Sequence, residues 1–200
     1  MKKTTLLIVI GAIVLCAIWA ISIYNKLVKE EEQVSSAWAQ VENAYQRRAD
    51  LIPNLVKTVK GAADFEKGTL EAVIEARSKA TSTTIDPTNL TEENMAAFQA
   101  AQDNLSSALS RLLVVVEQYP ELKANQNFLE LQSQLEGTEN RISVERNKFN
   151  EAAQSYNTKR RTFPTNIIAS IFSFGDKPYF KAQEGADKAP KVDFGTSEGK

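Results

Sequence analysis

The chain has 200 residues, 24 basic and 25 acidic side chains and a formal net charge of −1, so no nucleic-acid partner is expected. Histidine is absent, which removes the commonest general base and metal ligand together with Ser-His and Cys-His nucleophile pairs. The single cysteine, Cys16, lies in an apolar N-terminal run, which leaves the rest of the chain without a thiol. Glycine and proline are scarce before residue 160, which favours long helices over a sheet.

The N-terminal apolar run predicts a single transmembrane helix over residues 6–24, after a short segment at residues 1–5. A helix rises about 1.5 Å per residue, so the run and its neighbours span about 30 Å, one hydrocarbon core. A cleavable signal peptide is the alternative, but its apolar core is usually only about 7–15 residues. No small-x-small cleavage site precedes Tyr24, and the bulky Leu15 before Cys16 disfavours a lipoprotein. We therefore expect a retained anchor and a single-pass membrane protein.

The charges flanking the anchor do not decide its orientation. Lys2 and Lys3 on one side are matched by Lys26 and Lys29 on the other. The charges therefore do not show on which side of the membrane the rest of the chain lies.

A long helix follows from Asn25, because apolar residues recur there at steps of three, four and seven. Pro53 removes an amide and crowds the carbonyl of Ala49, so we expect a kink or a break there. If the helix breaks, Asp50 is a natural cap for the next one. The stripe expected in the core is Leu27, Val34, Trp38, Val41, Tyr45, Ile52, Leu55, Val56 and Val59.

Three further helices are expected downstream. The second covers about Thr69 to Ala80 and is followed by a loop from Thr81 to Asn89. Thr91 caps the third helix and Pro120 stops it. The third helix's stripe is Met95, Phe98, Gln102, Leu105, Leu109, Leu112, Val116 and Tyr119. Asn125 opens the fourth helix, whose core positions are Phe128, Leu131, Leu135, Thr138, Ile142, Glu145, Phe149, Ala152 and Tyr156, a heptad-like, coiled-coil pattern.

The chain changes character after this helical domain at residues 25–161. Residues 162–175 form a short apolar, amphipathic segment, and residues 176–200 form a polar tail. The segment either closes the end of the helical domain, lies in the membrane interface, or contacts another protomer. The interface reading predicts lipid or protomer contact through Phe163, Ile167, Ile168, Ile171 and Phe172.

The sequence resembles the LemA family of bacterial membrane proteins over nearly its whole length. The matching residues include Tyr24 to Val28, Trp38, Arg47 to Gly61, Glu139 to Ile142 and Ala189 to Phe194. The resemblance implies an all-α fold: one N-terminal transmembrane helix and an antiparallel four-helix bundle with long, partly kinked helices. It brings no catalytic residues and no cofactor, and it leans towards a cytoplasmic bundle.

One set of polar residues is the candidate functional constellation: Arg47, Arg48, Asp50 and Asn54, facing Glu139, Asn140, Arg146 and Asn150. The simpler interpretation is an interhelical network that fixes the register of the bundle. The alternative is a ligand site, with the arginines binding an anion. A di-metal carboxylate site is disfavoured, because such sites use Glu-x-x-His pairs.

These observations predict a membrane-anchored scaffold or interaction protein rather than an enzyme. We expect it to associate with itself and with the lipid bilayer, and an unknown membrane protein partner is possible. A sensor or enzyme that uses Arg47, Arg48, Asp50 and Arg146 is the alternative.

Overall fold

The computed structural model describes residues 2–61 and 66–181, and these residues form helices and no strand. The helices are α1 (Lys2–Lys60), α2 (Lys67–Ser82), α3 (Glu92–Val116), α4 (Pro120–Lys123), α5 (Gln126–Arg161) and α6 (Thr165–Ile171). A 3-10 turn at Pro87–Asn89 connects α2 to α3. The all-α prediction is confirmed.

Four long helices, α1, α2, α3 and α5, form the antiparallel bundle. α5 runs antiparallel to α1, because Lys159 pairs with Glu30 near one end and Glu139 pairs with Arg48 further along. α3 runs in the same direction as α1: the Phe98 ring lies 5.1 Å from Trp38, and Ser106 lies beside Arg48. α2 returns between them.

α1 is a single helix of 59 residues that continues from the apolar run into the bundle. Within the described residues it is the one helix long and apolar enough to cross a membrane, and none of its most apolar window is buried. This suggests membrane anchoring. Leu27 is the first fully buried residue of α1, so the bundle begins about one turn after Tyr24.

Pro53 does not break α1, although a break was one of the two outcomes expected there. A proline at this position leaves the carbonyl of Ala49 without its intrahelical donor. Arg77 of α2 replaces that donor, because its Nε donates a hydrogen bond of 2.8 Å to the Ala49 oxygen. A neighbouring helix thereby supplies the hydrogen bond that proline removes.

The predicted helix boundaries are nearly correct, with one exception. Thr91 caps α3 through a reciprocal capping box with Asn94, and the Asn125 side chain caps α5. α2 is two residues longer at each end than expected. The expectation that Pro120 stops the third helix is wrong: α3 ends at Val116, and Pro120 starts the one-turn helix α4. Proline suits a first helical position because its missing amide would be unpaired there anyway.

The bundle has two separate cores. The aromatic core lies towards the anchor and includes Trp38, Tyr45, Phe98, Phe149, Tyr156 and Phe180. The aliphatic core lies at the far end and includes Ile52, Leu55, Val59, Val73, Leu105, Leu112 and Leu135. The predicted stripes supply most of both cores. Val56, Leu131, Tyr119 and Ala152 are only partly buried, whereas Ala153 and Asn157 of α5 are buried.

An extended segment at residues 174–181, here called the strap, follows α6 and runs back along α5. Its Phe174 carbonyl bonds Arg160, and its Lys181 carbonyl bonds Arg146, so it is antiparallel to α5. The strap lies where α2 does not reach, its last residue, Lys181, accepts a hydrogen bond from Gln99 of α3, and Phe180 completes the aromatic core. The rest of the predicted tail, residues 182–200, lies outside the described residues.

Candidate functional site

Arg48 is the centre of the polar set that the structure does bring together. Its side chain is only 1% exposed and pairs with Glu139 of α5. Its Nη1 also donates to Ser106 Oγ at 2.7 Å, and its Nη2 donates to Gln102 Oε1 at 2.8 Å. The Tyr45 ring lies 5.1 Å from the guanidinium carbon. A buried arginine needs several such partners, because an unpaired buried charge is strongly destabilising.

This centre joins all four bundle helices. Gln102, which accepts from Arg48, also donates through Nε2 to the Ala80 carbonyl at the end of α2. Arg48 lies between the last aromatic-core residue of α1, Tyr45, and the first aliphatic-core residue, Ile52. The network therefore forms a polar layer between the two cores, and such a layer fixes the register of packed helices.

Four of the predicted residues lie away from this layer. Arg47, Asp50, Asn54 and Asn140 are exposed. Asp50 accepts a hydrogen bond of 2.7 Å from Gln46 on its own helix. The i, i+3, i+7 spacing does place Arg47, Asp50 and Asn54 on one face, but that face points to solvent.

The remaining two predicted residues bind the strap. Arg146 donates to the Lys181 carbonyl at 3.0 Å and stacks its guanidinium over the Phe180 ring at 4.6 Å. Asn150 donates to the Phe180 carbonyl at 3.3 Å and accepts from the Phe180 amide at 2.9 Å. The predicted set is thus divided between two sites with different tasks.

Asn157 repeats the Asn150 contact one heptad later, and the sequence analysis missed it. It donates to the Lys177 carbonyl at 2.8 Å and accepts from the Lys177 amide at 2.9 Å. Seven helical residues rise about 10 Å, and three extended residues cover about the same distance, so two asparagines seven apart match strap residues three apart. The spacing of seven residues between Asn150 and Asn157, which places both on one face of α5, could have predicted this contact.

Side chains of the strap are also bound individually. Lys177 is 6% exposed, its Nζ lies 2.6 Å from Glu31, and it sits 5.6 Å from the Tyr156 ring. Phe180 stacks on Trp38 with ring centroids 5.9 Å apart. Tyr156 donates to the Gly175 carbonyl at 2.9 Å. Lys177 and Phe180 of the strap are thus each bound by specific side chains of α1 and α5.

Burial shifts the titration of several groups near the anchor end. Burial raises the pKa of the Tyr156 hydroxyl to about 12, and the Glu31 carboxylate adds to this effect. Burial also raises the pKa of the Glu42 carboxyl, while the Trp38 indole opposes that shift. The hydrogen bond from Lys159 lowers the pKa of Glu30.

The apolar segment forms α6 and packs beside the point where α1 leaves its apolar run. The Phe172 ring lies 4.9 Å from Tyr24, and the Phe174 ring lies 5.6 Å from Tyr24. Ile168 and Ala169 are buried against the rest of the chain. The other four predicted contact residues are exposed: Phe163 (75%), Ile167 (49%), Ile171 (66%) and Phe172 (56%).

Little in the described residues resembles a site for chemistry. No group of three carboxylate or thiol side chains there could hold a metal ion. A surface cleft of about 440 Å³ is lined by Glu139, Arg146, Asn150, Phe180 and Lys181 among others. Its arginine donates one hydrogen bond to the Lys181 carbonyl of the strap and stacks on Phe180.

A comparison with protein families identifies the chain. The model of the LemA family matches residues 37–194. The chain belongs to the LemA family. The polar layer, the strap and most of the bundle fall within the matched residues, whereas the apolar part of α1 lies before them.

Curated relatives agree with this assignment. The LemA chain is similar to Protein LemA of Metamycoplasma hominis, with 28% identity over 87% of this chain and 74% of that protein. It is also similar to Magnetosome protein MamQ 2 of Paramagnetospirillum magneticum, with 26% identity over 82% of this chain. Magnetosome protein MamQ of Magnetospirillum gryphiswaldense shows 25% identity. The LemA chain spans 66% of the length of these two magnetosome relatives.

Proposed function

We propose that this LemA-family protein is a membrane-anchored scaffold or interaction module that associates with further copies of itself. The observation that carries the proposal is the continuity of α1. One helix leads from an exposed apolar run into two buried cores, and Arg77 maintains it across Pro53. Such a helix would hold the bundle at a fixed height above the bilayer.

The internal use of the charged residues supports a role in binding rather than catalysis. Arg48 donates hydrogen bonds to Glu139, Gln102 and Ser106, although its buried Nε has no partner, and Arg146 donates to the Lys181 carbonyl of the strap. Of the residues proposed for a sensor or enzyme, Arg146 lines the surface cleft, whereas Arg48 is buried and Arg47 and Asp50 face solvent. The names of the relatives reported above describe no reaction.

The test is crosslinking of the full chain in native membranes, followed by mass measurement of the extracted complexes. We expect complexes larger than one chain that contain this protein more than once. The matched controls are Arg48→Ala, which should disrupt the bundle and abolish the crosslinks, and Arg47→Ala, which should retain them. A species of single-chain mass, with no attached protein at any crosslinker concentration, would rule out the interaction module.

A further inference from the structure

The apolar side chains on and beside the outer face of α6 stay largely exposed within the described residues, although Phe172 contacts Tyr24. Ile168 and Ala169 point into the protein, whereas Phe163, Ile167, Ile171 and Phe172 are half to three-quarters exposed. Exposed apolar residues are unremarkable when scattered, but a group of four within ten residues marks an interaction surface. The question is what covers this surface.

The position of α6 relative to the anchor answers it. About 20 helical residues cross the hydrocarbon core, and the apolar run of α1 reaches that length at Tyr24. Phe172 contacts Tyr24 directly, so α6 lies at the level where α1 leaves the hydrocarbon. Tyrosine is typical of this level, because its ring is apolar and its hydroxyl is polar.

The exposed surface is continuous with the lipid-facing surface of the anchor. Trp19 and Ile21 of α1 are exposed just before Tyr24, which is itself 37% exposed, and Val28 follows at 41%. Cationic side chains border this surface: Lys26 and Lys29 of α1 are exposed. The Arg161 side chain, which pairs with Asp176 at 3.1 Å, is 68% exposed just before Phe163. Apolar residues beside cations suit the boundary between acyl chains and phosphate headgroups.

We propose that the exposed face of α6 lies in the lipid headgroup–acyl boundary of the bilayer that α1 enters. The inference rests on the proposed function, because it requires α1 to be the anchor. α6 then forms a second contact with the membrane, beside the anchor. Two contacts fix the tilt and rotation of the bundle, which one helix alone leaves free.

The experiment uses the full chain with Cys16→Ser as background, reconstituted in phosphatidylcholine nanodiscs. One environment-sensitive fluorophore is attached at a time, at Ile171→Cys, Val144→Cys or Ile13→Cys. Val144 is the matched control, because it is an apolar residue of α5 that is 50% exposed in the bundle. Ile13, which is 62% exposed in the apolar run, reports on the anchor. Acyl-brominated lipids then quench the labels that touch acyl chains.

We expect the Ile171 label to emit at shorter wavelength than the Val144 label and to be quenched by the brominated lipid. Equal emission and equal quenching of the Ile171 and Val144 labels would overturn the inference, provided that the Ile13 label is quenched. If the Ile13 label is not quenched, the anchor and with it the proposed function fail.

A second arm distinguishes lipid from another protomer. Nanodiscs that hold one chain should give the same Ile171 quenching as nanodiscs that hold several. If the blue shift appears only with several chains per disc, a second copy covers α6 and the lipid proposal is wrong. Phe163→Cys, at a residue that is 75% exposed, repeats the measurement if the Ile171 label prevents folding.

Discussion

The two halves of the bundle are closed by different means. At the far end, α2 and α3 pack against α1 and α5, and the core is built mainly from leucine, isoleucine and valine. Near the anchor the strap replaces a helix, and the core contains tryptophan, tyrosine and phenylalanine. Packed helices lie 8–10 Å apart, a distance that aliphatic side chains fill, whereas an extended segment needs larger side chains to close the same space.

Hydrogen bonding differs between the halves for the same reason. A helix satisfies its own backbone groups, but an extended segment does not. The backbone of the strap is therefore bonded by side chains of α5, which include Asn150, Asn157, Tyr156 and Arg160. Closing a core with an extended segment thus requires polar side chains at buried positions of the neighbouring helix. The far half needs no such row of side-chain to main-chain hydrogen bonds.

The largest effect is expected where the two halves meet. Arg48→Ala removes the cation of the polar layer and leaves Gln102 and Ser106 without their donor, so it should lower the free energy of unfolding by about 3–5 kcal/mol. Denaturant unfolding of the full chain in detergent measures this cost. Arg47→Ala, at the adjacent exposed position, should change it by no more than about 0.5 kcal/mol. If the two substitutions lower the free energy of unfolding equally, the polar layer does not stabilise the bundle.

Phe180→Ala should separate the two halves. It removes a buried ring from the aromatic core and should cost about 3 kcal/mol. Hydrogen exchange should show lost protection around Trp38 and Phe149, with protection around Leu105 unchanged. Lys181→Ala is the control, because the contacts of Lys181 with Arg146 and Gln99 use its main-chain carbonyl. Lost protection in both cores would mean that the halves unfold as one unit.

A smaller effect is expected from Arg77→Ala, which leaves the Ala49 carbonyl without a donor. Loss of a hydrogen-bond partner for a buried group costs about 1–3 kcal/mol. In a Pro53→Ala background, the restored amide of residue 53 can donate to the same carbonyl, so Arg77→Ala should cost less. A double-mutant cycle measures the difference. A coupling energy of zero would contradict the role assigned to Arg77.

The smallest effect is expected from Tyr156→Phe, which removes the hydrogen bond to the Gly175 carbonyl and should cost about 1 kcal/mol below pH 10. In the folded protein the pKa of Tyr156 is raised from 10.0 to about 12. An acid with a raised folded pKa contributes stability that is present below its unfolded pKa and is lost as pH rises through the folded one. The parent should therefore lose stability relative to Tyr156→Phe between pH 10 and 12. Denaturant unfolding at each pH measures both proteins. If their free energies of unfolding fall in parallel between pH 10 and 12, the raised pKa of Tyr156 is contradicted.

The far half was largely predictable from the sequence. Periodic leucine and valine residues locate α1, α3 and α5, and Asn125 fixes the start of α5 through local capping. Arg48 lies in an interhelical network with Glu139 of α5 and with two residues of α3. Its partners Gln102 and Ser106 were not assigned, because a pattern along one helix does not show which residues of another helix it meets.

The strap was the part that the sequence did not reveal. An extended segment has no periodicity of its own over eight residues, and its contacts with α1 and α5 are distant in sequence. The sequence analysis named Asn150 as a partner of the arginines. It did not predict that Asn150 bonds the main chain of Phe180. Asp50 faces solvent, and its position next to two arginines in the sequence does not show which way its side chain points. Lipid contact by α6 and self-association stay predictions.

The position of the strap in the chain has a consequence for synthesis. The far half can be complete once the ribosome has made α5 as far as Leu135, because all helices that form it are then present. The half near the anchor must wait for Phe180. During that interval Trp38, Phe149 and Tyr156 lack the contacts that the strap makes with them. We expect chaperones or lipid to hold this region until the strap arrives, and a nascent chain arrested before residue 174 should bind them more strongly than one that includes Phe180.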